Sequence, residues 1–214
     1  MNSKITAKKS RKRKYIEVTP QLLAVLAVER IVAYMSVLAT QLSNWWFAIQ
    51  DIDLALNAQM IAFLSGTGQL GALVEGHQKK FSDYHNDGDP NRAYPVDKNG
   101  EMLKGRIADF SALLKRAEDP NFGFINNSQS FLSVSEKEKR DILKFHEFRS
   151  DIAHPRPLTW SVQAAGLPRM ASACIRALEH LFGHSTQRIH LSATQNKLMA
   201  RNLKSISKKL KTMA

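Results

Sequence analysis

From Ile31 to Ile49 the chain carries no charged side chain. A run of that length belongs either in a protein core or in a bilayer. Ser36, Thr40, Gln41, Ser43 and Asn44 interrupt its apolarity, and Glu29-Arg30 stand directly before it. It therefore reads as a buried helix and not as a membrane span. Thr19-Pro20 opens the region, because proline is tolerated in the first turn of a helix. Apolar residues then continue almost unbroken to about Leu64. Asn44 and Asp51-Ile52-Asp53 are the candidate turn or cap points, which leaves one long helix or two. Trp45-Trp46 suggest a packing junction.

The rest of the chain keeps the helical period. Leu103, Ile107, Phe110, Leu114 and Ala117 are spaced 4, 3, 4, 3, and Glu118-Asp119-Pro120 closes that helix. Ser135-x-x-Glu138 is a capping box, after which Ile142, Phe145, Phe148 and Ile152 share one side and Pro155 and Pro157 stop the helix. A further helix from about Pro168 to Phe182 buries Met170, Ala173, Cys174, Ala177, Leu178 and Leu181. Met199, Leu203, Ile206, Leu210 and Met213 form one more stripe, again spaced 4, 3, 4, 3. No segment alternates with period two. The expected fold is all-α, a bundle of four to five core helices with a basic amphipathic helix at the C-terminus. The expected divisions are a basic arm over 1–18, a helical domain over 19–188 and the C-terminal helix over 189–214.

Gly66, Gly68, Gly71 and Gly76 lack the spacing and lysine of a phosphate-binding loop and read as close helix packing or a kink. Residues 86–100 are turn chemistry. Asp83, His85, Asp87 and Gly88 resemble the start of a calcium loop, but its twelfth position is Tyr94, so that reading is rejected. The single cysteine, Cys174, excludes an internal disulfide and reads as a buried apolar residue. His180 and His184 have a spacing that can bind metal on a helix, yet they lack a third ligand and read as solvated residues. No metal or cofactor is expected.

The net charge of +12 is unevenly placed. Residues 1–14 hold seven Lys or Arg and no acid, and residues 190–214 hold six and no acid. The middle of the chain is close to neutral. Lys8, Lys9, Arg11, Lys12, Arg13 and Lys14 are too concentrated to collapse and read as an arm. Lys204, Lys208, Lys209 and Lys211 lie on the polar faces of the C-terminal helix. Both groups are candidate nucleic-acid contacts through phosphate. The apolar stripe of that helix has three candidate partners: the body of the protein, another chain, or an anionic membrane surface.

One constellation carries chemistry. In His146-Glu147-Phe148-Arg149-Ser150-Asp151-Ile152-Ala153-His154-Pro155, an Arg and a His flank the end of a capped helix. Imidazole can move a proton to or from a ribose oxygen, and guanidinium can hold phosphoryl oxygens as charge builds on them. Residues five apart on an unbroken helix diverge by about 140°. The Pro155 boundary frees His154 to leave that path. Asp151 is placed to orient either group, and Glu147 and His146 are placed to do so from the preceding turn. Arg140 and His146 repeat the spacing, but without the helix end. The plain alternatives are a surface ion pair for Arg149 with Asp151 or Glu147, and helix-end capping for His154.

The stretch Phe148-Arg149-Ser150-Asp151-Ile152-Ala153-His154-Pro155 resembles the Arg-x(4–6)-His hallmark of the HEPN superfamily. Ser150 stands where that family more often has Asn, Asp or His, and Arg156 stands where antitoxin-modified members have Tyr. The resemblance implies a four- or five-helix bundle that dimerises so that two motifs share a cleft. It also implies a metal-independent endoribonuclease in a toxin, defence or stress role. On it, Arg149 and His154 carry catalysis and Asp151 is a polar support, with Glu147, His146 and Ser150 around them. RNA, a second copy of the chain, and an antitoxin or regulatory protein are the implied partners. The N-terminus lacks the order of a signal peptide, which makes the cytoplasm the expected compartment. The competing expectation is a non-catalytic HEPN-like module that binds nucleic acid or protein.

Overall fold

A computed structural model describes residues 19–65, 70–86, 105–122, 131–154, 163–184 and 191–213. The fold is all-α: among these residues there are seven α-helices and no strand. They are α1 (Pro20–Tyr34), α2 (Trp45–Ser65), α3 (Glu75–Asn86), α4 (Phe110–Glu118), α5 (Glu136–Ala153), α6 (Leu167–His184) and α7 (Ala193–Lys211).

The charge-free run is not one helix. Helix α1 ends at Tyr34, residues 35–40 turn, and a short 3-10 segment over Leu42–Asn44 leads into α2. Asn44 thus stands at a real boundary, where its side-chain amide donates to Gln41 Oε1. Asp51 and Asp53 do not mark a boundary; both lie inside α2 and both are buried. Trp45 is buried at the junction, whereas Trp46 and Phe47 are exposed.

Helix α2 is the centre of the bundle and packs against α1, α4, α5 and α6. Helix α6 packs against α5 and α7 as well, and α7 returns to α1. By length and composition the segment Leu42–Ser65 could cross a membrane, but 72% of its most apolar window is buried inside the protein. That burial is consistent with a core helix and no membrane span. Ile52, Leu56, Met60 and Leu64 are fully buried along it.

The fourth helix starts later than the spacing predicts. Leu103 lies outside the described residues, and Ile107 is an exposed residue in an isolated antiparallel bridge with Leu73. Val74 N donates to Arg106 O and Ala108 N to Ala72 O, each at 2.9 Å, so this backbone is already committed to pairing. Asp109 then caps α4 by accepting from Ala112 N at 2.8 Å. A Cβ on Gly105 would stand 2.7 Å from Leu73 Cδ2, so a larger residue there would have to displace that side chain. Gly76 has open space around it, so close packing does not explain that glycine. Gly71 contributes its carbonyl, which accepts from Arg116 Nη1 at 3.0 Å. Gly66 and Gly68, like most of the turn-rich 86–100 segment, lie outside the described residues.

Helix α5 begins with the expected capping box. Glu138 N donates to Ser135 Oγ, and Ser135 N donates to Glu138 Oε2. The Ser135 hydroxyl also donates to Glu138, which holds that carboxyl below its usual range. Only Ile142 and Phe145 are fully buried apolar residues on this helix. Leu143, Phe148 and Ile152 pack partly buried against the same core, and ion pairs add to this attachment. Lys139 pairs with Glu118 of α4, Glu138 with Arg176 of α6, and Asp141 with Arg169 of α6.

The C-terminal stripe finds its partner in the body. Met199, Leu203, Ile206 and Leu210 are buried against α1 and α6, and they belong to the same core as α2. A second capping box, Ser192 with Gln195, starts the helix. Leu203→Ala is expected to lower the stability of the fold by roughly 2–5 kcal/mol, while the neighbouring exposed Lys204→Ala leaves it nearly unchanged. Urea denaturation followed by circular dichroism checks this. Equal, small effects would mean that the stripe serves a partner chain instead.

Candidate active site at the end of the fifth helix

Two carboxylates separated by one residue point about 200° apart on an α-helix. On α2 this geometry sends Asp51 toward α1 and Asp53 toward α5. Arg30 Nε donates to both oxygens of Asp51 at 3.0 Å, and this bond raises the arginine's pKa. Asp53 faces the motif helix. Its Oδ1 is 2.7 Å from His146 Nδ1, and its Oδ2 is 3.6 Å from Arg149 Nε. His146 and Arg149 are three residues apart, which puts them on one face of α5 and within reach of a single carboxylate.

Asp53 is only 4% exposed, so it needs partners to offset its lost hydration. A carboxylate can only accept, so the proton of the His146–Asp53 bond sits on Nδ1. In the neutral ring Nε2 is then the basic nitrogen. The ring of Phe110 stacks on His146, with centroids 4.0 Å apart and planes 6° apart. His146 is thus fixed in position and in tautomer by two elements other than its own helix.

Arg149 is held differently. At 3.6 Å its contact with Asp53 is an ion pair outside hydrogen-bond range, and its side chain is 43% exposed. It keeps donors available for an anion from solvent. Five residues on, α5 ends at Ala153, and His154 takes φ −125° and ψ 74°, off the helical path, as expected from the proline that follows. Its backbone N–H still donates to Ser150 O at 3.0 Å, and the residue is exposed. Arg149 and His154 therefore share one helix end, both accessible.

The other expected residues divide. His146 has a larger part than its neighbours, since it binds Asp53 directly. Glu147 pairs with Lys144 at 2.8 Å on an exposed face, so it is not a partner of Arg149. Asp151 and Ser150 are half-buried on the last turn. The arm residues Lys8, Lys9, Arg11, Lys12, Arg13 and Lys14 lie outside the described residues. Lys204, Lys208 and Lys211 are exposed on α7, and Lys209 is half-buried.

Asp53 was missed by sequence reasoning. The signal was there: an acid in an otherwise apolar segment needs a cation, and read as a turn point it asks for none. His180 is corrected as well. It is half-buried with Nε2 2.9 Å from Phe131 O, and His184 stacks on it, so the pair braces a loop and is not simply solvated. No group of three or more His, Cys, Asp or Glu able to hold a metal occurs among the described residues. Cys174 is buried, and burial pushes its thiol well above the usual range, as befits an inert core residue.

No protein-family model matches the chain, and neither a curated protein nor a solved structure matches it.

Asp53→Ala leaves His146 and Arg149 without their shared anchor. It is expected to lower stability by roughly 1–3 kcal/mol, and Asp53→Asn, which keeps an acceptor for His146, by less. Chemical denaturation of both variants is the check; a neutral Asp53→Ala would show that the cluster contributes nothing to holding α5.

Proposed function

We propose that this chain is a metal-independent endoribonuclease of HEPN type, acting on RNA as a homodimer. The observation that carries the reading is the state of Arg149: tethered by a buried carboxylate, yet left with exposed donors at the helix end where His154 departs. A guanidinium pre-oriented in this way can accept a phosphodiester without first reorganising.

The chemistry follows from these groups. His154 removes the proton from a ribose 2′-hydroxyl, and the 2′-oxygen attacks the adjacent phosphorus. The bond from phosphorus to the 5′-oxygen breaks, and that oxygen takes a proton from an acid on the opposite side. The products are a 2′,3′-cyclic phosphate and a 5′-hydroxyl end. Arg149 neutralises the charge that builds on the non-bridging oxygens. In-line displacement needs base and acid on opposite faces of the phosphate, and a second copy of the motif across a two-fold axis supplies the acid. Asp53 and His146 position Arg149. A toxin, defence or stress role in the cytoplasm, restrained by an antitoxin or regulatory protein, fits this reading.

A second reading is a non-catalytic binding module. It is favoured by the same cluster, because Asp53, His146 and Arg149 also staple α2 to α5 whether or not any reaction occurs. The test is cleavage of end-labelled RNA in EDTA. Wild type is expected to cut and leave a cyclic phosphate. Arg149→Ala and His154→Ala are each expected to lose at least about 100-fold in rate with unchanged circular dichroism. Cleavage that survives both substitutions rejects the site; RNA binding without cleavage by wild type supports the module.

A further inference from the structure

The outer face of α7 holds a straight row of cations. Lys197, Arg201, Lys204, Lys208 and Lys211 are spaced 4, 3, 4, 3, and all of them are exposed. The row lies opposite the stripe that anchors the helix in the core. Lys209 falls off it and is half-buried, while Lys197 and Arg201 complete it.

The helix dipole does not account for this row. Cations near the C-terminus of a helix are favourable, which explains Lys208 and Lys211. Lys197 and Arg201 sit in the first half, where the dipole gives no such benefit. Each member of the row is three or four residues from the next, so like charges are neighbours throughout, an unfavourable arrangement for the helix alone. The helix itself contains no acid. The acid set near the row is Glu179 of α6, whose charge acts on Lys204 and Lys211; it is partly buried, and burial raises its pKa. Among the described residues, Glu179 is the carboxylate whose shift registers this row, and one carboxylate does not balance five cations.

We propose that this row is a track for the phosphodiester backbone of single-stranded RNA. Successive cations rise about 5 Å along the axis, of the order of the spacing between adjacent phosphates in one strand. A single-file row suits one strand. An anionic membrane is the poorer partner, because the apolar side of α7 is already buried in the bundle and none remains to enter lipid. The choice of RNA rests on the ribonuclease reading; the recognition of a phosphate chain does not.

The test uses the full chain and a fluorescent 2′-O-methyl oligouridylate, which cannot be cut. Two variants of equal charge are compared. In one, Lys197, Lys204, Lys208 and Lys211 are changed to Gln. In the other, Lys79, Lys80, Lys115 and Lys137, exposed on α3, α4 and α5, are changed to Gln. The slope of log affinity against log salt is expected to fall by roughly 2.8 in the first variant, at about 0.7 for each lost contact to a single strand, and by much less in the second. Changing the four row lysines to Arg is expected to retain the wild-type slope. Equal losses in the two Gln variants overturn the proposal, as does a row variant that keeps RNA and loses only vesicles containing phosphatidylserine. If the row binds RNA but wild type never cuts unmodified RNA, the track stands and the ribonuclease reading falls. Cleavage with a row variant that binds normally gives the reverse.

Discussion

A carboxylate buried in an apolar helix must be met by cations or hydrogen-bond donors, and on α2 that requirement falls on Asp53. Its two oxygens are divided between His146 and Arg149, so one group satisfies its own burial, ties α5 to the central helix and sets the position of both side chains. The tie joins an apolar face in which Ile142 and Phe145 are buried and Leu143, Phe148 and Ile152 pack partly buried against the core. Ion pairs to α2, α4 and α6 add to that packing. Asp51, two residues earlier in the chain but facing α1, performs the matching task with Arg30. The central helix is thus anchored on opposite sides by two acids.

This arrangement bears on the chemistry. A phosphate-binding arginine that is free in solution loses conformational entropy when it engages its ligand. At 3.6 Å from Asp53, Arg149 is restrained without having its donors saturated. His146, gripped at Nδ1 and stacked by Phe110, is a rigid neighbour, whereas His154 stands past the last helical residue. The helix end therefore joins a fixed inner pair to an accessible outer one. The cationic row of α7 adds a feature remote in sequence and of a different kind: it has no preorganised pocket, only periodic charge.

Much of the fold was legible from local signals. The Ser135–Glu138 box, the stop before Pro155 and the stripe from Met199 to Leu210 each depend on residues within a few turns, and each stands where the spacing put it. Reading failed where a distant segment overrode a local pattern. Ile107 matches the period of α4, but its backbone is paired with residues 72–74, and Asp109 caps the helix after it. The charge-free run left one long helix or two, with Asn44 a candidate break; it is two, with a turn over 35–40 and a 3-10 segment over Leu42–Asn44 between them. In the candidate site, Arg149, His154 and His146 were visible as a motif. Asp53 was not, because its partner His146 lies 93 residues away in sequence. Two acids inside an apolar segment signal that cations must meet them, but nothing local to Asp51-Ile52-Asp53 identifies which cations those are.

The central claim is that the end of α5 receives a phosphodiester. The most direct test is NMR titration of the protein with an uncleavable 2′-O-methyl RNA, following the Arg149 Nε–H and His154 ring resonances. The account predicts that both shift together, saturate with the RNA, and lose their response in Asp53→Asn. Shifts confined to the N-terminal arm and to α7, with Arg149 and His154 unmoved, would contradict it.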